Sequence, residues 1–228
     1  GYSRGADMIV VDRGIASINQ LKGKVLAAAQ FNESEFFIRY LAYEAGINIQ
    51  VLRDLDAKPA SDQIGLVFYE DATMACNAYQ HELSTLSPKL SGCVGWSPST
   101  DEVVEASKGR AKILATNRNL LVVADILCVN KGFATANPKI VQGLVHGILE
   151  GNQRVRDNQE ANIQTIASAM KWKVDETKEE LKKVHLSNLP ENLAFFAGTI
   201  DAAGSFGGIF QSSVLAYGPK ILPNAIDA

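Results

Sequence analysis

Three short polar stretches carry the side chains best suited to hold a small ligand, and each ends an apolar run. Gln30 to Ser34 follows Val25–Ala29 and opens onto a helical pattern. Free backbone N–H groups at such a helix start can hold a carboxylate, sulfonate or phosphate. Tyr69-Glu70-Asp71 closes the run that begins at Leu66, and Trp96-Ser97-Pro98 closes Gly92–Trp96. The last of these offers an aromatic wall and a hydroxyl, and acidic neighbours would also suit an amine through charge and cation–π contacts. Each feature has a plainer role. Asn32 with Glu35 three residues later has the spacing of a capping box, and pure capping is the stronger reading for that pair. For Trp96, core packing and ligand contact weigh equally. Glu33 and Glu35 repel an anion at this helix start, so Ser34 and the backbone are the better contacts for one.

Catalytic patterns are sparse. The histidines are His81, His146 and His185, and none has the HExxH type of metal-ligand spacing. His146 falls within a helical pattern and reads as a surface or packing residue. Gly92-Cys93-Val94-Gly95 is no nucleophile elbow, which needs a serine at a strand-to-helix turn. The Gly204–Gly208 run follows no clear strand, so a phosphate cradle there is a minor reading. Glu70-Asp71 has the chemistry for acid–base work, but without a nucleophile or cofactor motif nearby it reads as binding or capping. Cys76, Cys93 and Cys128 sit in apolar surroundings and read as buried thiols, with a Cys76–Cys93 disulfide as the lesser alternative.

The elements that position these loops alternate between strand and helix. Ala6–Val11, Val25–Ala29, Ile49–Leu55, Leu66–Tyr69, Gly92–Trp96, Lys112–Thr116 and Leu121–Val129 read as strands. Helical patterns fall at Glu33–Ala45, near Ala72–Glu82 and at Thr100–Ser107. This order predicts an α/β fold with a largely parallel sheet. In such sheets ligands bind beyond the carboxyl ends of the strands, where the three polar loops lie. The last hundred residues turn helical. Asn137-Pro138 starts a helix whose Val141, Leu144, Val145, Ile148 and Leu149 repeat as one apolar face. Further helices are expected at Glu160–Trp172, Asp175–His185 and Ser205–Tyr217.

Composition narrows the function classes. A hydrophobic fraction of 46% and a charged fraction of 21% are those of an ordinary folded protein. A net charge of -3 with no Lys/Arg run argues against nucleic acid as a partner. The mixed charges of Lys171–Lys183 read as a solvated helix face. No apolar stretch reaches the roughly 20 residues of a membrane span, so no membrane insertion is expected of this segment. Gly1–Gly5 has no charged start leading into an apolar stretch, so no signal peptide is read there.

The run GADMIVVDRGIASINQLKGKVLAAAQFNESEFFIRYLAYEAGI resembles bacterial ABC-transporter solute-binding proteins of the nitrate/sulfonate/taurine and thiamine-precursor superfamily. So do LSGCVGWSPSTDEV, AKILATNRNLLVVADILCVNKGFATANPKIVQGLVHGILEG and HLSNLPENLAFF. The order of these stretches is similar to a branch labelled as phosphate-type solute-binding proteins, some fused to an outer-membrane-protein-A-like domain. The resemblance implies a type II periplasmic-binding fold, two α/β lobes joined by two crossings. Residues 1–23 would hold the outgoing hinge strand and 24–110 the second lobe. Residues 111–132 would be the return hinge strands, and 133–228 the helical remainder of the first lobe. It also implies a first lobe incomplete at the N-terminus, and a chain that stops at Ala228 where relatives continue. By the same resemblance, ligand contacts fall on Gln30, Asn32, Ser34, Trp96, Ser97 and Asp125, with Tyr2 and Ser3 near the cleft.

The expected function is capture of a small polar solute, anionic or zwitterionic, by hinge closure. The solute would then pass to the membrane permease of an ABC uptake system, in the periplasm or another extracytoplasmic space. No catalysis, cofactor or metal is expected. One alternative is a sensory or scaffold module fused to another domain. Another is an enzyme like those of thiamine-pyrimidine synthesis, which requires a cofactor lysine and a histidine in the cleft. Lys22 and Lys24 lie at the wrong end of their strand for that, and the three loops hold no histidine.

Overall fold

The computed structural model describes residues 1–199 and 204–222, so the expectation about the C-terminal stop at 223–228 lies outside the described residues. The chain begins with β1 (Tyr2–Ser3) and runs into β2 (Asp7–Asp12), β3 (Val25–Ala29) and α1 (Glu33–Glu44). β4 (Ile49–Val51), β5 (Ile64–Tyr69), α2 (Ala72–Glu82), β6 (Gly92–Trp96), α3 (Ser99–Ala106) and β7 (Ala111–Thr116) follow. β2 to β7 form one six-stranded sheet in the order β4-β5-β3-β6-β2-β7. β3, β5 and β6 run parallel, while β2 is antiparallel to both β6 and β7. The expected parallel sheet thus contains one reversed strand. β2 enters from the edge where the parallel strands end, so Asp7 pairs with Trp96.

The sheet is buried on both faces. α1 places Phe37 and Ile38 on one face, against Ile9, Leu26 and Leu66. α2 and α3 cover the other, with Ala75, Cys76, Tyr79 and Val103 against Val10, Ala27 and Cys93. Two glycines of β6 permit this packing. A Cβ on Gly92 would lie 2.4 Å from the Val10 carbonyl oxygen, and one on Gly95 would lie 3.0 Å from Cys76 Sγ. Cys76 and Cys93 are free buried thiols with sulfurs 3.2 Å apart, and burial pushes the Cys93 thiol up. Cys128, expected to be buried, is exposed.

The rest of the chain is helical, with α4 (Lys131–Ala136), α5 (Pro138–Asp157), α6 (Gln159–Met170), α7 (Val174–Leu181), α8 (Leu189–Ala197) and α9 (Phe206–Tyr217). A short strand, β8 (Val184–His185), precedes α8. β8 pairs with β1, which makes one isolated bridge to Ala124 on its other side. The expected strand over Leu121–Val129 is therefore not formed as a ladder. Among the described residues its only strand neighbour is two residues long, too short to order nine. The expected helix over Asp175–His185 stops at Leu181, because β1 draws Val184 and His185 into pairing. α4 and α8 were not anticipated, although Asn188 and Glu191 form a full capping box at α8. α9 crosses back and packs on α1, where the Arg39 guanidinium lies 5.2 Å from the centre of the Tyr217 ring. No described helix is long and apolar enough to cross a membrane.

Candidate functional site

Adjacent parallel strands deliver the three predicted loops to one edge of the sheet, because β5, β3 and β6 are neighbours. The first loop is set by α1. Asn32 Oδ1 accepts the N–H groups of Ser34 and Glu35 at 3.0 and 3.2 Å. Glu35 does not close the expected capping box onto Asn32. Its carboxylate reaches one residue further, accepting from Phe31 N at 2.6 Å and from Arg39 Nε at 2.7 Å. Phe31 takes a left-handed φ of 53° and is exposed. The Glu35–Arg39 pair is buried, so Arg39 answers the Glu35 charge locally and Glu35 repels an anion less than the sequence implied. Gln30 is exposed. The Ser34 hydroxyl is buried without a hydrogen-bond partner. Such an orphan costs about 1–3 kcal/mol, so a group that gives it a partner is favoured.

The other loops are more committed. Glu70 is exposed, and Asp71 caps α2 by accepting Met74 N at 2.7 Å. Trp96 is partly buried. The Ser97 hydroxyl meets Asp101, Glu180 and Lys183, and Lys183 Nζ reaches Asp101 at 2.5 Å and Glu180 at 3.0 Å. That network ties the start of α3 to the segment after α7. Thr100 Oγ1, in the first turn of α3, is a second buried hydroxyl without a partner.

Ser3 reaches the same edge through Asp7, which sequence reasoning passed over. Asp7 is 2% exposed, and its carboxylate accepts from the Ser3 hydroxyl and from Asn117 Nδ2 at 2.8 Å. Asn117 Oδ1 in turn accepts Gly5 N at 2.7 Å and Asp7 N at 3.3 Å. The segment joining β1 to β2 and the segment leaving β7 are thus stitched side by side. Burial, aided by the charges of Glu33 and Asp125, pushes the Asp7 carboxyl up to about 6. Asp125 itself is exposed. An aspartate heading the apolar run Met8–Val11 was the one sequence signal for this cluster.

Tyr2 is placed elsewhere. Its hydroxyl donates to Gly204 O at 2.7 Å and its ring meets Phe195 edge-on. His146 is exposed, and His185 Nε2 lies 3.1 Å from Glu191. Among the described residues no group of three or more His, Cys, Asp or Glu is arranged to hold a metal ion.

No protein-family model matches the sequence, and no curated protein matches it. Solved structures do. The periplasmic aliphatic sulphonate binding protein SsuA from Escherichia coli superposes with a TM-score of 0.64 at 17% identity, over 97% of this chain and 67% of its own. The alkanesulfonate-binding protein SsuA from Xanthomonas axonopodis pv. citri, bound to MOPS, gives 0.64 at 15% identity, over 99% and 71%. A periplasmic sulfonate-binding protein SsuA from Methylobacillus flagellatus gives 0.61 at 16%, over 100% of this chain and 62% of its own. The chain therefore has the α/β architecture of two-lobed periplasmic binding proteins and spans roughly two thirds of those chains.

Proposed function

We propose that this chain binds a small polar solute for uptake, as part of a two-lobed extracytoplasmic protein that serves an ABC permease. One observation carries the reading: β5, β3 and β6 end side by side, at the edge where β2 enters the sheet and β7 leaves it. In this fold class ligands bind beyond the carboxyl ends of the strands. The ligand contacts are Gln30, Ser34 and the Glu33 N–H, the one in the first turn of α1 that Asn32 does not take, with Glu70 and Trp96 beside them. Asn32, Asp71 and Ser97 hold these loops in shape, since their polar atoms are already bonded internally. Asp7, Glu33 and Asp125 make the same end acidic. A zwitterion suits both features, its anionic end on the α1 N-terminus and its ammonium toward the acids.

The test is thermal-shift and calorimetric titration of the full-length protein with alkanesulfonates, aminosulfonates, amines and pyrimidines. A bound solute raises the melting temperature, because binding to the folded state alone stabilises it. Ser34→Ala then separates ligand contact from packing. It leaves stability level or slightly raised, since it removes an orphaned hydroxyl, and lowers affinity by about tenfold for loss of one hydrogen bond to a charged group. No response across the panel, or unchanged affinity in Ser34→Ala, counts against this site.

A further inference from the structure

We propose that a cavity beside the segments that enter β2 and leave β7 is a second, separate site, and that it binds a tetrahedral oxyanion of the phosphate or sulfate type. The cavity measures about 480 Å³ and is lined by Tyr2, Arg4, Arg118, Asn119, His185 and Glu191, among others. Tyr2 and His185 pair across β1 and β8, their ring centres 6.3 Å apart, and both line it. Alternation along an extended chain puts Tyr2 and Arg4 on one side and Ser3 on the other. Ser3 is turned to Asp7, so this cavity lies away from the acidic end of the sheet.

The two arginines are forced together by the backbone. Gly5 N donates to the Asn117 side chain, which staples the residue after Arg4 to the residue before Arg118. Gly5 adopts a φ of +112°, and a Cβ there would lie 3.5 Å from Arg118 Cβ. Both side chains are exposed, so water screens part of their mutual repulsion, and an anion held between them would relieve the remainder. Among the described residues neither side chain makes an ion pair or a hydrogen bond. The carboxylate in the lining, Glu191, is occupied by Asn188 N at 2.7 Å and His185 Nε2 at 3.1 Å. Planar guanidinium forks match the oxygens of phosphate and sulfate two at a time, and a tetrahedral oxyanion has enough oxygens to serve both. Because Arg4 lies on the segment that enters β2 and Arg118 on the segment that leaves β7, the anion would bridge the two.

The test is isothermal titration of the full chain with sodium phosphate and with sodium sulfate, against sodium chloride at equal ionic strength. One phosphate or sulfate binds per chain, and it slows hydrogen exchange at the Gly5 and Arg118 amides. Arg118→Gln weakens binding about tenfold or more, and Arg4→Gln with Arg118→Gln abolishes it, as expected when charge-assisted bonds are lost. Arg53→Gln, which removes an exposed arginine elsewhere, leaves it unchanged. The proposal is overturned if phosphate and sulfate behave as chloride does, or if the double variant binds as the parent does. Neither outcome bears on the strand-end loops, where the proposed solute site is tested by Ser34→Ala.

Discussion

The six-stranded sheet and the helical region after it are built from similarly patterned sequence and end in opposite states. In the sheet, β3 is buried at every residue, and α1 buries seven of its residues, including Phe37 and Ile38 at 0% exposure. α5 is the longest described helix and strongly amphipathic, yet it buries none. Its Ile140, Leu144, Val145 and Ile148 stay 41–59% exposed. The contrast teaches that amphipathic spacing specifies a helix and the side it would bury, not the partner. Burial needs a second surface at the right distance, and among the described residues only the sheet supplies one on both faces.

The sharpest test of this contrast uses glycines. Gly92→Ala sets a methyl group against the Val10 carbonyl in the middle of the sheet, at 2.4 Å. We expect it to destabilise by more than about 4 kcal/mol or to prevent folding, read from expression and denaturant unfolding. Next, Phe37→Ala should cost about 3–5 kcal/mol as a buried large-to-small change. Leu144→Ala in α5, at 48% exposure, should cost under about 1 kcal/mol because little area is lost from contact. Equal costs in urea unfolding would show that the α5 face is covered in solution.

The third test is pH dependence. The Asp7 carboxyl titrates at about 6 in the folded chain, above its ordinary 3.8, so the folded state holds the proton more tightly than the unfolded state does. Stability from this group is present below the unfolded value and is lost as pH rises from about 4 to about 6, by about 2–3 kcal/mol. Asp7→Asn should flatten that part of the stability profile, measured by unfolding at pH 4.5 and pH 7. A slope that survives the substitution would assign it to another group. The smallest effect is Gly147→Ala in α5. No atom lies within 4 Å of a Cβ there, so higher helix propensity should stabilise by about 0.5–1 kcal/mol. A loss instead would show a surface packed closely on that face.

Legibility followed the same division. β6 and α2 lie where the sequence put them, because each is bounded by local turn or capping chemistry and has one strong period. The strand over Leu121–Val129 was read from an apolar run alone, but a strand also needs a neighbour, and β1 offers two residues. The capping box at α1 had the right residue types and the wrong partner, since Arg39 and the Phe31 N–H compete for Glu35. Within the candidate site, all three loops were read from the ends of apolar runs. Capping was the stronger reading of Asn32 and one reading of Asp71, and both residues cap. The bonds of Ser97 to Asp101, Glu180 and Lys183 were not read, because only the fold reveals whether a side chain's hydrogen bonds are met across the chain.

By itself the sequence determined the strand–loop–helix order, the α/β class and which loops end the strands. Hydrophobic period and capping residues act over a few positions, so they are present in any stretch of chain. The tertiary structure alone decided that Asp7 and Ser3 meet Asn117 where the chain enters β2 and leaves β7, and that Lys183 reaches Ser97. It also decided that Arg4 and Arg118 share a cavity. The contacts of Asn117 with Gly5 and Asp7 and of Lys183 with Ser97 join residues 86 to 112 positions apart, and their strength depends on burial and distance, which exist only once the sheet has formed.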